Sequence, residues 1–291
     1  MRYKMHKKVE RIELSSEELR KMQMIMLEML IEFDRICRKY NIKYSIDGGT
    51  FLGAVRHKGF IPWDPDADIV IMRDDYDRFF EVCKNELDKE RFFLQDYRTD
   101  RYYRWGYARL IRKGTEYVRA GHEHMNSKNG VFIDIFTMDS VPDSYILRIL
   151  HRLSCFCIRR TLWSEVGKKV HPNAIKRSWY GILSRIPKDL VFKVRDNIAA
   201  QCNENKNTNL VRHMCSPHPQ KHPYGFPRRL FNSLSEYEFE GYKFWGFTEY
   251  DWYLKSIYGD YMTIPPKEER TSHIPCSSFK LIDPKFRERK H

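Results

Sequence analysis

The sequence predicts an α+β fold in which a mixed sheet is flanked by helices and the chain carries a basic helical insertion. Apolar β-branched residues follow a Pro-containing turn at residues 66–71, which is typical of a buried strand. Apolar residues recur every three to four positions in residues 15–40, which predicts a long amphipathic helix. Residues 146–195 repeat this helical spacing with twelve Lys and Arg against two acidic residues. We therefore expect a core at 1–145, an insertion at 146–200 and a C-terminal part at 201–291 that packs on the core.

The chain has 291 residues and a formal net charge of +13, and it is long enough to bury a sizeable core. It contains neither an apolar run long enough to span a membrane nor the apolar stretch of a signal peptide, so we expect a cytoplasmic protein. Its seven scattered cysteines are typical of reduced thiols. The positive charge predicts an anionic partner, which is a nucleic acid, an anionic membrane surface or a phosphate-bearing substrate.

The first helix has a start signal and a stop signal. Ser15 and Glu18 have the spacing of a capping box, and the residues at 41–43 are expected to end the helix before a strand at 44–46. Its apolar face consists of Leu19, Met22, Met26, Leu30, Phe33 and Cys37.

A glycine pair follows that strand. Gly48 and Gly49 would let the backbone approach a phosphate, and Thr50 is predicted to cap a helix whose N-terminus favours an anion. The helix then carries Arg56 and His57, which are cations suited to a phosphorylated substrate. A glycine pair before a helix also occurs in proteins without such a ligand, so the pair alone decides nothing.

Two aspartates mark the next predicted strand. Side chains alternate along a strand, so Asp66 and Asp68 should lie on one side, about 6–7 Å apart. Paired carboxylates suit a divalent cation bound to a phosphate, although Asp-rich turns also occur as ordinary solvated loops. The order of glycine pair, helix, turn and Asp-x-Asp strand is that of the nucleotidyltransferase core typified by DNA polymerase beta.

Further along, Asp74 and Asp75 are expected to charge the first turn of another helix rather than bind metal. Residues 92–116 look like strands joined by a polar turn. Within them, Arg109 is a candidate ligand of donor phosphates, although exposed arginines on strands are usually solvated.

An aspartate stands inside a second buried strand at residues 130–136. A carboxylate in such an apolar run is costly unless it is paired or bound to a cation. Asp134 therefore has the place of the third carboxylate that nucleotidyltransferases take from a neighbouring strand. Asp139 is interpreted as a turn or capping residue.

The basic insertion has three open interpretations. A basic helical pair with tryptophans at its edges fits docking on an anionic membrane surface. Alternatively the helices are solvated and their tryptophans pack inward. Nucleic-acid binding is the least favoured interpretation, because the sequence contains no recognisable nucleic-acid-binding motif. Residues 203–227 are predicted as a loop, whose prolines exclude a helical zinc site at His213, His218 and His222.

Three separate segments resemble the LicD family, which is also seen in fukutin-related proteins. They are residues 49–64, residues 133–139, and residues 258–266 together with Arg270 and His273. The chain departs from the family pattern in two places: Pro65 replaces one aspartate of the first segment and Thr137 replaces a proline of the second. Pro65 lies off the face of Asp66 and Asp68, so we expect metal binding to survive.

The resemblance implies a Mg²⁺- or Mn²⁺-dependent transferase that moves a phospho-alcohol onto a hydroxyl of a cell-surface glycan precursor, such as a teichoic acid or lipopolysaccharide. The expected donor is CDP-choline, with release of CMP, and the acceptor can be lipid-linked at the inner face of the cell membrane. Asp66, Asp68 and Asp134 would be the metal-binding and catalytic residues, and Asp134 would accept the hydroxyl proton. The donor would contact a second set of residues, namely Gly48, Gly49, Thr50, Arg56, His57 and Arg109.

Several alternatives remain at this stage. The protein could bind a nucleotide or glycan without turnover, use another donor such as CDP-ribitol or CDP-glycerol, or act on RNA or a small drug. If the alcohol is choline, a cage of aromatic rings is expected around the quaternary ammonium, with Trp63, Tyr76 and Trp105 as candidates.

Overall fold

The computed structural model describes residues 11–216, 224–270 and 275–286. Its α-helices are, in chain order, α1 (Ser16–Lys39), α2 (Gly48–His57), α3 (Arg73–Glu86), α4 (Tyr145–Leu162), α5 (Ser164–Val170), α6 (Ala174–Leu183), α7 (Lys188–Glu204) and α8 (Tyr250–Tyr258). Its strands are β1 (Tyr44–Ile46), β2 (Asp68–Met72), β3 (Phe92–Gln95), β4 (Ala108–Arg112), β5 (Glu116–Arg119), β6 (Phe132–Val141), β7 (Leu210–Arg212), β8 (Phe226–Pro227), β9 (Leu234–Phe239), β10 (Tyr242–Phe247) and β11 (Cys276–Lys280). Two 3-10 helices lie at Arg228–Asn232 and Lys267–Glu269.

A seven-stranded sheet forms the centre of the molecule. Its order is β1-β2-β6-β4-β3, and β7 extends from β6 and carries β8. The pair β2 and β6 is parallel and the other pairs of this sheet are antiparallel. Smaller two-stranded sheets join β9 to β10 and β5 to β11. The prediction of a mixed sheet flanked by helices is confirmed.

Helix α1 forms for the reasons that its sequence predicts. The Ser15 hydroxyl accepts a hydrogen bond from the Glu18 amide, and the Glu18 carboxylate accepts one from the Ser15 amide. The helix ends before Asn41, whose φ of 50° is a left-handed conformation that asparagine tolerates. Its apolar face, including Met26, Leu30 and Phe33, is buried in the main hydrophobic core.

Two predicted boundaries near the glycine pair are wrong. Strand β2 begins at Asp68 rather than at residue 66, because the neighbouring chain turns from Asp47 directly into α2. Helix α2 begins at Gly48, with Asp47 in the N-cap position, so Thr50 does not cap it. The Thr50 hydroxyl instead accepts a hydrogen bond from the Asp68 amide at 2.9 Å, which joins the helix to the start of the strand.

Asp139 does not lie in a turn as predicted. Strand β6 continues through it to Val141, and Asp139 is opposite Arg212 on β7. The side chain is buried and forms an ion pair with Arg73 at 2.8 Å. A buried carboxylate needs such a partner, and 66 positions separate the two residues, so local sequence did not reveal it.

The prediction of a loop at 203–227 is wrong for the described parts of this segment that form secondary structure. Helix α7 runs to Glu204, and β7 and β8 lie within the segment because they extend the main sheet beyond β6. His218 and His222 lie outside the described residues.

The basic segment is helical, as predicted, but it holds the four helices α4 to α7 rather than a pair. Helices α4 and α7 pack around a second hydrophobic cluster with Met214 and Cys215. The division at residues 145 and 200 stays a prediction. Within the described chain, no helix combines the length and the apolar character needed to cross a bilayer. All seven cysteines lie in described residues, and they are free thiols.

The buried His213 predicts a loss of stability in acid. Its ring packs near Phe136, its Nδ1 donates a hydrogen bond to the Thr137 carbonyl at 3.1 Å, and burial lowers its pKa to about 4. The unfolded chain takes up this proton near pH 6.5, well before the folded chain does. This contribution to stability is therefore complete above about pH 6.5 and is lost as the pH falls towards 4, by about 3 kcal/mol.

We expect His213→Asn to have a smaller decrease of unfolding free energy than the wild type between pH 7 and pH 4.5, measured by urea denaturation. His124→Asn, at an exposed histidine, is the matched control and should keep the wild-type slope. Equal slopes in His213→Asn and the wild type would refute this interpretation.

Candidate active site

A row of polar residues crosses the middle of the main sheet. Asp68 on β2 is opposite Asp134 on β6, and Asp134 is opposite Arg109 on β4. On the side of Asp68 away from β6, the Asp47 amide donates a hydrogen bond to the Asp68 carbonyl at 2.9 Å. This bond continues the pairing of β1 with β2 by one residue. Residues opposite one another on neighbouring strands project to the same face. We call Asp47, Asp68, Asp134 and Arg109 the polar row.

Two arginines hold Asp134. Arg109 Nε lies 2.7 Å from one carboxylate oxygen, and Arg119 Nη2 lies 3.2 Å from the other. Burial alone would lower the pKa of Arg109, but the Asp134 carboxylate raises it overall. Arg109, the sequence candidate for donor phosphates, is thus buried against Asp134 in this structure rather than exposed, and its role at a phosphate stays a prediction.

The other carboxylates of the site repel one another. Loss of hydration together with the charges of Asp66, Asp134, Asp47 and Asp64 raises the pKa of Asp68 well above its usual value. Burial and then the Asp66 charge do the same for Asp64, and loss of hydration raises the pKa of Asp47 to about 7. A cation at this place would relieve the repulsion.

Gly49 allows Asp64 to approach the start of α2. A Cβ at Gly49 would overlap Asp64 Oδ2, so any other residue would displace this carboxylate. The first turn of a helix favours a negative charge, which suits the position. Among the described residues, buried Asp64 Oδ1 has no hydrogen-bond partner. The structure therefore leaves one carboxylate oxygen unused at the site.

Two tyrosines of α8 complete the surroundings of the row, and the sequence analysis assigned no role to either of them. The Tyr253 hydroxyl donates a hydrogen bond to Asp47 Oδ1, and it accepts one from the Gly48 amide at 3.5 Å. The Tyr258 hydroxyl and Asp68 Oδ2 both lie 3.6 Å from the place that a Cβ of Gly48 would occupy. Tyr258 is 42% exposed, but its hydroxyl end is enclosed, and this together with Asp47 and the other carboxylates raises its pKa. The signal for Tyr258 was its place at the start of the third family-like segment.

Arg56 holds the C-terminal segment in this structure. It donates hydrogen bonds to the carbonyl oxygens of Tyr261 at 2.6 Å and Thr263 at 3.4 Å. Burial lowers the pKa of both Arg56 and His57, and for His57 the Arg56 charge adds to the effect. The expected contact of Arg56 and His57 with phosphate stays a prediction.

Arg270 has a similar tying role. It donates a hydrogen bond to the Pro265 carbonyl at 2.8 Å, and its guanidinium lies 4.9 Å above the Trp63 ring. These contacts fasten the C-terminal segment to the turn before β2. His273 lies outside the described residues.

The three aromatic candidates for a choline cage have different neighbours. Trp63 contacts Arg270 and His57, Tyr76 donates a hydrogen bond to Asp96, and Trp105 stacks on His122. In the described parts of the chain, these rings do not contact one another as a cage.

A cleft lies elsewhere in the molecule. It has a volume of about 360 Å³ and is formed by α3, α7 and the turns around β4, where Arg73 pairs with Asp139 and Arg195 pairs with Asp196. Its lining contains no member of the polar row, although it includes Ala108, which precedes Arg109 in the chain. The row, rather than the cleft, carries the arrangement of charges that points to chemistry.

The fit of a divalent cation depends on the free carboxylates. In residues 11–216, 224–270 and 275–286, no three Asp, Glu, His or Cys side chains form a ready metal site. Asp134, the expected third ligand, is instead bound by Arg109 and Arg119. The unused oxygen of Asp64 and the raised pKa of Asp68 nevertheless fit a hard cation, which takes oxygen ligands.

The chain is similar to proteins of one known family. Residues 41–152 match the LicD/FKTN/FKRP family, whose matching part is described as a nucleotidyltransferase domain. The polar row and the glycine pair lie within this range.

Three relatives extend the comparison. The chain is 30% identical to the lipopolysaccharide cholinephosphotransferase LicD of Haemophilus influenzae, over 88% of this chain and 95% of that protein. Uncharacterized proteins of Rickettsia prowazekii and Rickettsia typhi are 33% and 46% identical, over 25% and 19% of this chain and 37% and 18% of those proteins. The match to the Haemophilus protein spans nearly the whole length of both chains, and the chain therefore belongs to the LicD family of phosphotransferase enzymes.

Proposed function

We propose that the protein transfers phosphocholine from CDP-choline to a hydroxyl of a lipopolysaccharide-type glycan and releases CMP. The donor and acceptor classes follow from the similarity to the Haemophilus cholinephosphotransferase. The observation that carries the proposal is the polar row, which aligns Asp47, directly after β1, with Asp68 and Asp134 on adjacent strands next to the first turn of α2. This order of strand, glycine pair, helix and aspartate strand also supports a nucleotidyltransferase architecture for the core.

The reaction is a substitution at phosphorus. The acceptor oxygen forms a bond to the choline-bearing phosphorus, the bond from that phosphorus to the bridging oxygen of the diphosphate breaks, and CMP leaves with that oxygen. The acceptor hydroxyl loses its proton to a carboxylate, for which we propose Asp134. Arg109 and Arg119 fix both Asp134 oxygens beside Asp68, which orients the carboxylate for this role.

Asp66 and Asp68 would hold Mg²⁺ or Mn²⁺. Asp134 lies beside Asp68 on the neighbouring strand and is paired with Arg109 and Arg119. When bound, the cation would neutralise negative charge on the donor diphosphate. The raised pKa of Asp68 supports this assignment, because it results from burial and from the charges of the neighbouring aspartates, and a cation would offset both.

The donor phosphates have two further sources of attraction. The amides of Gly48, Gly49 and Thr50 lie in the first turn of α2, where backbone N–H groups favour an anion. Arg119 adds a cation at the row, and in the described chain its buried Nε has no hydrogen-bond partner. Arg119 is therefore a candidate phosphate ligand that the sequence analysis missed.

The first prediction of this proposed function concerns turnover of the donor. With Mg²⁺ and CDP-choline, the wild type should release CMP, and Asp68→Asn should lower the rate by about 100-fold or more, since it removes charge stabilisation at the reacting phosphate. Asp74→Asn, at an exposed carboxylate paired with Lys206 on the surface, is the matched control and should keep the wild-type rate.

Parallel reactions with CDP-ethanolamine, CDP-glycerol and CDP-ribitol identify the alcohol. Release from one of these donors alone would retain the transferase and replace choline. Saturable donor binding without turnover, even with a glycan extract present, would favour an inactive binding protein. Neither binding nor turnover would reject the donor class.

The second prediction uses thermal stability, which needs no turnover. Mg²⁺ that binds only the folded protein should raise the melting temperature of the wild type relative to the protein in EDTA. Asp68→Asn should lose most of this increase and Asp74→Asn should retain it. An equal increase in all three proteins would show that the cation binds elsewhere.

The third prediction concerns the close contact at Gly49. Gly49→Ala should reduce kcat/KM for CMP release about tenfold or more, because the new Cβ displaces Asp64 and disturbs the charges around Asp68. Gly181→Ala is the control, since a Cβ there meets nothing within 4 Å and alanine favours the α6 helix. Wild-type kinetics in Gly49→Ala would show that the position of Asp64 does not matter for the reaction.

A further inference from the structure

Helix α4 is apolar on two opposite faces. One face buries Cys155, Ile158 and Leu162 in the second hydrophobic cluster. At 100° per residue, the opposite face carries a second apolar stripe whose side chains are 43–70% exposed: Ile146, Ile149, Leu150 and Leu153. An apolar helix face normally packs against another surface, so the outer stripe lacks its cover in the described chain.

Helix α6 repeats the arrangement. Ile175, Trp179 and Ile182 follow at spacings of four and three residues, which places them on one face, and they are 80%, 42% and 63% exposed. Tyr180 points the other way and is buried, and its hydroxyl accepts a hydrogen bond from Arg160 of α4 at 2.6 Å. This hydrogen bond joins the two helices, while the side chains of both outer stripes remain exposed.

The charge around these stripes has one sign. Residues 146–195 contain twelve Lys and Arg against Glu165 and Asp189, an excess of ten positive charges. Both acidic residues already pair with lysines of the same segment. The basic residues that are exposed outright are Arg152, Lys169, Lys176, Arg185 and Lys193.

We propose that the outer stripes of α4 and α6 dock in the interface of an anionic lipid bilayer. Helices that lie on membranes combine such an apolar stripe with Lys and Arg at its borders, and tryptophan favours the depth of the lipid headgroups. Each basic residue near an anionic bilayer adds further attraction. The docking does not depend on the transferase reaction.

Other occupants fit less well. A second copy of the chain would bring two segments with ten excess positive charges into contact, which like-charge repulsion opposes. A nucleic acid would satisfy the charge but would leave Ile146, Leu150 and Leu153 against a polar backbone. Only a surface that is both apolar and anionic satisfies the two properties together.

The test is co-sedimentation of the full chain with lipid vesicles, without donor or acceptor. Binding should be strong to vesicles of phosphatidylglycerol mixed with phosphatidylcholine, weaker in high salt, and weak to pure phosphatidylcholine. Leu150→Ser/Leu153→Ser should weaken binding about tenfold or more, because it removes apolar area without changing charge. The matched control is Tyr102→Ser, at a 43% exposed ring outside the segment, which should bind like the wild type.

Thermal melts and CMP release of the double variant check that the protein stays folded. Binding that is absent, that ignores lipid charge, or that is equal in the double variant would overturn the proposal. Sedimentation velocity supplies another decisive outcome: a dimer that dissociates in Leu150→Ser/Leu153→Ser would assign the stripes to a second copy. Failure of CMP release with intact vesicle binding would reject the proposed reaction and leave the docking surface standing.

Discussion

The structure depends on the crowding of carboxylates at the centre of its main sheet. Charged groups removed from water are costly unless they are paired, and this site pairs only some of them. Asp134 has Arg109 and Arg119 as partners. Burial raises the pKa of Asp47, Asp64 and Asp68, and the charges of neighbouring aspartates add to this rise at Asp64 and Asp68. The sheet stays folded despite this cost, because buried apolar residues on either side of the row hold β1, β2, β6 and β4 in register. A site that is electrostatically incomplete by itself is suited to a cationic ligand.

Elements from distant parts of the chain keep the carboxylates in place. The Thr50 hydroxyl holds the Asp68 amide, and the absence of a side chain at Gly49 leaves room for Asp64. On the outside, Arg56 fastens the C-terminal segment, whose preceding helix presents Tyr253 and Tyr258 to the row. The three segments that resemble the LicD family are therefore neighbours in space, which explains how motifs far apart in sequence can serve one site.

Elements controlled by local interactions could be predicted from the sequence. The capping box at Ser15, the stop at Asn41 and the apolar period of α1 act within a few residues of one another, and they predict the helix closely. Residues whose environment depends on a distant partner could not be predicted, as for Asp139 with Arg73. Arg119 was missed for the same reason, because only the pairing of strands brings it to Asp134. The start of β2 depends on the place where β1 ends and α2 begins. The residues near Asp66 carry no information about that place.

The pairing of β5 with β11 also has a consequence for synthesis on the ribosome. β5 carries Arg119 to the site, and its partner β11 follows far later in the chain, after α8 has supplied its tyrosines. A nascent chain that has exposed every aspartate of the row still lacks the strand that steadies Arg119. Domains fold as their residues emerge, so β5 can gain this partner only after the segment that contains β11 has emerged. Arg119 is thus expected to reach its final place beside Asp134 only after β11 has paired with β5.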